Sequence, residues 1–296
     1  MSLRRTIGST DALHIAIAAV LLALSPLAIT RGGADFRLPA GYAGLAAAVI
    51  LLARLHAAHP ESRLARVLHT WYPLPAVVLV FWSLSYVIPA VNPGGMRDAA
   101  LIEWDHRIFR TDLVELFRRL EHPLLTDALH ILYVVYFVLP VLLVWPLLRR
   151  RGPLEETIFV LCLSFYLCYV GYGLVPAAGP RYAVYGHNGM AGLLLTQPIR
   201  DVIDALEPGK ADVFPSAHAA VTLVVNWLAL RHLPRLGRAL VPVTAGILAS
   251  LVYTRYHYGV DVLAGGLWAV VTVLGGTRIH AFFVRRRAAI RPAASS

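Results

Sequence analysis

Cysteine is nearly missing from this chain, lysine more so, and charge of either sign is sparse. The two cysteines, Cys162 and Cys168, fall in one apolar stretch. Six residues of helical rise separate them by about 9 Å, too far for a disulfide, so they report nothing about redox compartment. Lys210 is the single lysine, and the net charge of +10 is an arginine excess. Charged residues make up only 15% of the 296 and hydrophobic ones 58%, which excludes an ordinary soluble domain. The arginines sit in loops between apolar runs. They fit orientation signals and contact with anionic lipid headgroups rather than nucleic acid. No internal repeat is evident, which counts against a transporter built from paired halves.

What is present is a succession of apolar runs near membrane-spanning length. Eight can be placed, at about 12–29, 41–58, 74–91, 124–148, 154–175, 215–230, 239–253 and 258–283. The expected fold is all-α: a polytopic integral membrane bundle of about eight transmembrane helices. Residues 1–70 form two N-terminal helices, 71–284 a six-helix core, and 285–296 a basic disordered tail. No small-x-small cleavage site closely follows the first run, so it reads as an uncleaved span. Eight spans put both termini on one side, which collects 16 of the 27 basic residues against 11 on the other. Positive-inside orientation then places the termini in the cytoplasm, as in a bacterial-type plasma membrane, and the opposite loops outside.

Two segments between the runs are distinctive. Residues 92–123 mix eleven charged side chains with Ile108, Phe109, Leu113, Leu116, Phe117 and Leu120 at helical spacing. That pattern suits an amphipathic helix in the interface or a solvated helix packed on the bundle. The loop 176–212 opens glycine-rich and then shows Ile199, Val202, Ile203 and Leu206 at helical spacing, as expected of a short helix covering a site.

Three stretches carry the chemistry: Gly179-Pro180-Arg181-Tyr182, Phe214-Pro215-Ser216-Ala217-His218 and Arg255-Tyr256-His257-Tyr258-Gly259-Val260-Asp261. Ionisable groups at membrane depth are costly and read as functional. Pro215 suits a first helical position, so Ser216, Ala217 and His218 would present free N–H groups to a phosphate. The bland alternative is a proline-capped helix with a histidine reaching for water. His257 and Asp261 are four apart, so a carboxylate can accept the Nδ1 proton and leave Nε2 nucleophilic. A buried histidine satisfied by a local acid, or a metal bound by His218, His257 and Asp261, fits the same residues. Arg181 and Arg255 suit bidentate phosphate binding or interfacial snorkelling. Tyr182, Lys210 and Tyr258 flank these stretches as candidate headgroup contacts.

The set resembles the type 2 phosphatidic acid phosphatase superfamily. Its three motifs appear as Gly179-Pro180-Arg181, Pro215-Ser216-Ala217-His218 and His257 with Asp261, over roughly the last six spans from Leu74 onward. The resemblance implies that His257 attacks phosphorus to form a phosphohistidine, Asp261 orients it, and His218 protonates the leaving group. Three positions depart from the pattern: Leu174 stands for a lysine, Ala217 for a glycine and Leu251 for an arginine. Arg255, one helical turn beyond Leu251, is expected to reach the same phosphate. These departures resemble more closely the branch of inositol phosphorylceramide synthases, which moves a phosphorylated headgroup between lipids. The expected substrate is a membrane lipid phosphate or phosphodiester, the acceptor an alcohol or water, with no metal or organic cofactor. Lipid phosphate hydrolysis is the alternative. A transporter or channel with a buried polar gate is the rival from another class, and a haloperoxidase-like oxidation would use the same residue set without needing a bundle.

Overall fold

The computed structural model describes residues 6–185, 190–207 and 209–290, and no strand occurs among them. Helix α1 (Ser9–Arg31) follows Gly8, whose N–H donates to Asp11, and α2 (Arg37–Ala58) returns beside it. Helix α3 (Arg63–Trp71) is capped by the Ser62 hydroxyl and leads into α4 (Pro73–Val91), with proline in its first turn where no N–H is needed. Next come α5 (Asp98–Phe109), α6 (Leu113–Arg118), and α7 (Pro123–Val135) with α8 (Leu139–Leu147), a pair bent by 43°. Helix α9 (Arg151–Leu174), the single turn α10 (Pro180–Ala183) and α11 (Thr196–Leu206) precede α12 (Ala217–His232), α13 (Pro234–Tyr253) and α14 (Gly259–Ile290).

All eight expected runs are helical. Six helices, counting α3 with α4 as one, are long and apolar enough to cross a membrane, and the bent pair α7–α8 makes seven. The remaining run, α12, has 16 residues, about 24 Å, short of a ~30 Å hydrocarbon core. It nevertheless reaches the far rim, where the His232 carbonyl accepts from Arg150 and its imidazole meets Glu156 at 3.2 Å. The non-helical stretch 211–216 supplies the missing depth, mostly buried in protein, where irregular backbone is tolerated at membrane depth.

Helix α12 is the axis of the bundle. Val221, Val224, Val225 and Leu228 have no exposed surface, packed among α8, α9, α13 and α14. A helix apolar on every side has to be buried this way. The outer helices instead turn apolar side chains outward: Val20 on α1, Leu51 on α2, Leu79 on α4, Trp145 on α8 and Leu267 on α14 are all exposed. So much exposed apolar surface suits lipid and not water. The fold is an all-α integral membrane bundle.

Two expectations need correction. The basic stretch from Arg285 does not begin a disordered tail: it stays helical to Ile290, and Arg287 donates to the Thr6 and Ile7 carbonyls. Residues 291–296 lie outside the described residues. The 92–123 segment is not one amphipathic helix either. It breaks at Arg110, in the left-handed region at φ 56°, and Ile108, Leu116 and Leu120 are exposed. Its buried face is led instead by Asp98, Leu101 and Asp105, and those two aspartates turn toward the loops of the site.

Candidate active site

Helices α9 and α13 end, and α12 and α14 begin, at one end of the bundle, and the three motifs meet there. His257 lies in the tight link between α13 and α14, its N–H bound to the Leu251 carbonyl at 3.0 Å. Its Nδ1 lies 3.5 Å from Oδ2 of the fully buried Asp261 on the first turn of α14. Nε2 is 3.1 Å from the Ser216 hydroxyl. That hydroxyl already accepts from the Ala219 N–H, so its own hydrogen is free to point at Nε2. The arrangement favours the tautomer with hydrogen on Nδ1 and a lone pair on Nε2. Burial pulls the His257 pKa down to about 4, keeping the ring neutral near pH 7.

Ser216 is therefore the N-cap of α12, and Pro215 precedes the cap, two positions before the first helical place the sequence suggested for it. His218 sits in the first turn. Its ring stacks on Tyr133 at 4.4 Å, packs against Tyr136 at 4.0 Å, and faces the His257 ring at 5.7 Å. Its Nε2 is buried without a hydrogen-bond partner among the described residues. Ser216 and Ala219 come close to α14 because Gly265 lies beneath them: a Cβ there would stand 2.5 Å from the Ser216 carbonyl.

The first motif is held by α5. Asp98 accepts from the N–H groups of Ala178 and Gly179 at 3.0 and 2.8 Å. Gly179 has φ 84°, and a Cβ would meet the Tyr256 carbonyl at 2.5 Å, so glycine is required twice over. Arg181 then pairs its backbone N–H with the Arg255 carbonyl. Its guanidinium donates to the Tyr256 hydroxyl at 2.6 Å and to Asp204 at 2.7 Å, leaving Nε buried and unsatisfied. Asp105 accepts from the Gly259 and Val260 N–H groups at 2.9 and 2.6 Å, fixing the start of α14.

Other expected contacts are placed differently. Arg255 lies beyond α13 at φ 64°, its guanidinium paired with Glu121 and over the Tyr185 ring. Lys210 binds Asp204 and the Tyr182 hydroxyl. Burial pushes Asp204 up, but the hydrogen bonds from Tyr182 and Lys210 outweigh it and leave its pKa below the usual range. Tyr258 is not a headgroup contact: its hydroxyl donates to Asp98 and its N–H to Asp261. Tyr182 does line the cavity beside the histidines.

That cavity, about 380 Å³, runs from His257, His218 and Ala217 past Tyr133, Tyr136 and Tyr172 to Phe81, Trp82 and Pro140 between α4 and the bend of α7–α8. Glu207 and Asp212 line it as well. The helix expected to cover the site is α11, anchored by Asp127, which accepts from the N–H groups of Leu194, Leu195 and Thr196. Residues 186–189 and 208 of the same loop lie outside the described residues. Arg200, buried on α11, was not singled out from the sequence. Burial and the nearby charge of Arg181 lower its pKa. It brings a third arginine close to Arg181 and Arg255.

A family model described as the PAP2 superfamily matches residues 99–275, more than half of the chain. The chain belongs to the PAP2 superfamily. Neither a curated protein nor a solved structure matches it. The PAP2 match begins in α5 and ends in α14, so it includes all three motifs and α11. It starts later than the expected Leu74, leaving α1 to α4 outside. Membership makes the protein an enzyme of the lipid phosphatase and phosphotransferase kind. Within that PAP2 frame, Asp98, Asp105, Asp127 and Asp204 are the positioning acids the sequence did not reveal.

Proposed function

We propose that this enzyme transfers a phosphorylated headgroup between membrane lipids through a phosphohistidine on His257, the reaction type of inositol phosphorylceramide synthases. One observation carries the reading. A neutral imidazole stands with Nδ1 3.5 Å from a buried carboxylate and Nε2 on a hydroxyl, facing the unpartnered Nε2 of His218 across a largely apolar cavity. In the first step the Nε2 lone pair of His257 attacks phosphorus, and the bond to the departing lipid alcohol breaks. The bound phosphate's negative charge favours a protonated His218, which gives its proton to the leaving oxygen. Asp261 offsets the positive charge growing on the His257 ring, and the Ser216 hydroxyl turns to a phosphate oxygen. In the second step the acceptor hydroxyl attacks, His218 takes its proton, and the P–N bond breaks.

Arg181 and Arg255 bind the phosphate, exchanging Asp204 and Glu121 for phosphate oxygens in their planar forks. Arg200 adds the charge absent at Leu174 and Leu251. The aromatic lining of the cavity favours lipid chains over water, and so favours transfer over hydrolysis. The site faces the extracytoplasmic side.

The test is to incubate purified protein with a lipid phosphodiester carrying radiolabelled phosphorus, with and without lipid alcohols. The expected result is a new labelled phospholipid and an acid-labile label on the protein, absent in His257→Ala. Free phosphate as the only product would assign hydrolysis. Label retained in His257→Ala would overturn the nucleophile.

A further inference from the structure

Two carboxylates in the cavity have no part in the chemistry above. Glu207 follows the last turn of α11 and Asp212 lies in the extended stretch before Pro215, and both line the space that holds His218 and His257. Neither has an ion-pair partner among the described residues. The nearby cations are committed elsewhere: Arg181 and Lys210 to Asp204, Arg255 to Glu121. The remaining wall mixes aliphatic and aromatic side chains, among them Tyr133, Tyr136 and Tyr172. Burial raises the pKa of both acids, and the charge of Asp212 raises Glu207 further. Two like charges in one apolar space are unfavourable unless a proton or a cation joins them. Among the described residues no three His, Cys, Asp or Glu converge as metal ligands, so the pair is poorly equipped for a divalent ion. Carboxylates among tyrosines match instead a diffuse organic cation, an ammonium or a trimethylammonium.

We infer that Glu207 and Asp212 bind the cationic end of the substrate's headgroup, so that the lipid consumed carries an amino-alcohol phosphodiester rather than an inositol phosphodiester or a phosphate monoester. The inference rests on the phosphotransfer reading. In such a headgroup two carbons separate the ester oxygen from nitrogen, so the cation lies within one headgroup's length of the phosphorus. The cavity then takes the nitrogen at the acid pair and the phosphorus at His257, with Arg181 behind the Tyr182 and Tyr256 rings of its wall. The transferred unit is the phosphoalkylammonium, and the lipid alcohol leaves with the proton from His218.

The experiment uses the full chain in detergent with phosphatidylethanolamine, phosphatidylcholine, phosphatidylinositol and phosphatidic acid of identical chains. The amine-bearing lipids are expected to have the highest kcat/KM. In Asp212→Asn and Glu207→Gln their advantage over phosphatidylinositol should shrink about tenfold or more, as when a buried charge loses its partner. A wild-type preference for phosphatidylinositol or phosphatidic acid overturns the inference and leaves the phosphohistidine reading standing. Equal slowing of every lipid in both variants also overturns it, making the pair a proton-handling group. Binding is read separately in the His257→Ala background, as thermal stabilisation by short-chain phosphatidylethanolamine over short-chain phosphatidylglycerol. Loss of that difference in Asp212→Asn supports the inference even if the assigned nucleophile is wrong. No difference before the substitution sinks it.

Discussion

At the scale of single residues the two histidines are chemically unequal. His257 has a carboxylate 3.5 Å from Nδ1, short of a hydrogen bond, and a hydroxyl at Nε2, whereas His218 is held by ring faces with no acid paired to it and its Nε2 has no partner among the described residues. Their variants should fail differently. His257→Ala should abolish turnover of every substrate. His218→Ala should lose roughly 10²- to 10⁴-fold on lipid substrates, whose alkoxide needs a proton, and much less on an aryl phosphate, whose leaving group departs unaided. Turnover of aryl phosphate by His257→Ala, or equal losses for His218→Ala on both substrates, would refute the assignment. The proximity of His257 and Asp261 was legible in the sequence because they are neighbours along the chain and need no distant partner to be recognised. Arg255 was legible only as a charge. Its guanidinium is placed by Glu121, 134 residues away, and by the Tyr185 ring, so spacing alone pointed it at phosphate from the end of a helix it does not belong to.

At the scale of elements, α5 shows what a sequence pattern hides. Charges among apolar residues suggested a surface helix, because the usual place of an aspartate is in water. Asp98 and Asp105 lie seven apart, two turns on one face, and that spacing was the available signal. Their partners are backbone N–H groups 81 and 154 residues later, which leave no mark on side-chain pattern. The loop helix α11 was legible for the opposite reason, since its apolar side repeats at helical spacing. Helix α5 therefore works as a brace: Asp98 fixes the turn that aims Arg181, and Asp105 fixes the first turn of α14 that carries Asp261. Asp105→Ala strands two buried N–H groups and should cost about 1–3 kcal/mol of stability. Asp98→Ala should instead lower affinity for the phosphate through Arg181 while leaving aryl-phosphate turnover dependent on His257. Chemical denaturation in detergent and a KM-against-kcat comparison read the two effects. An Asp105→Ala melt equal to wild type would remove α5 from this role.

At the scale of the whole molecule, the bundle has two chemically distinct ends. The site occupies one. At the other, Ser9 bonds His280 at 2.9 Å and Arg287 holds the Thr6 and Ile7 carbonyls, so the N-terminal helix and the last helix are tied together. Arg149, Arg150, Arg151, Arg231 and Arg235 crowd the same rim, where Arg231 and His232 meet Glu156. Fixed pairing uses only part of that charge, and in the proposed orientation the remainder would retain these loops in the cytoplasm during insertion. The short α12 does not alter the proposed orientation. Although 16 residues are too few to span alone, the helix still joins the two ends, so both termini stay opposite the site. Single cysteines placed on α11, at exposed Val202 or Leu206, should react with an impermeant maleimide added to intact cells, in a background with Cys162 and Cys168 replaced. Cysteines at Arg150 or Arg235 should react only after permeabilisation. Both native cysteines are buried and form no disulfide, so replacing them with alanine should change little else. Labelling of Arg150→Cys from outside, with Val202→Cys protected, would invert the molecule and put the phosphotransfer site in the cytoplasm.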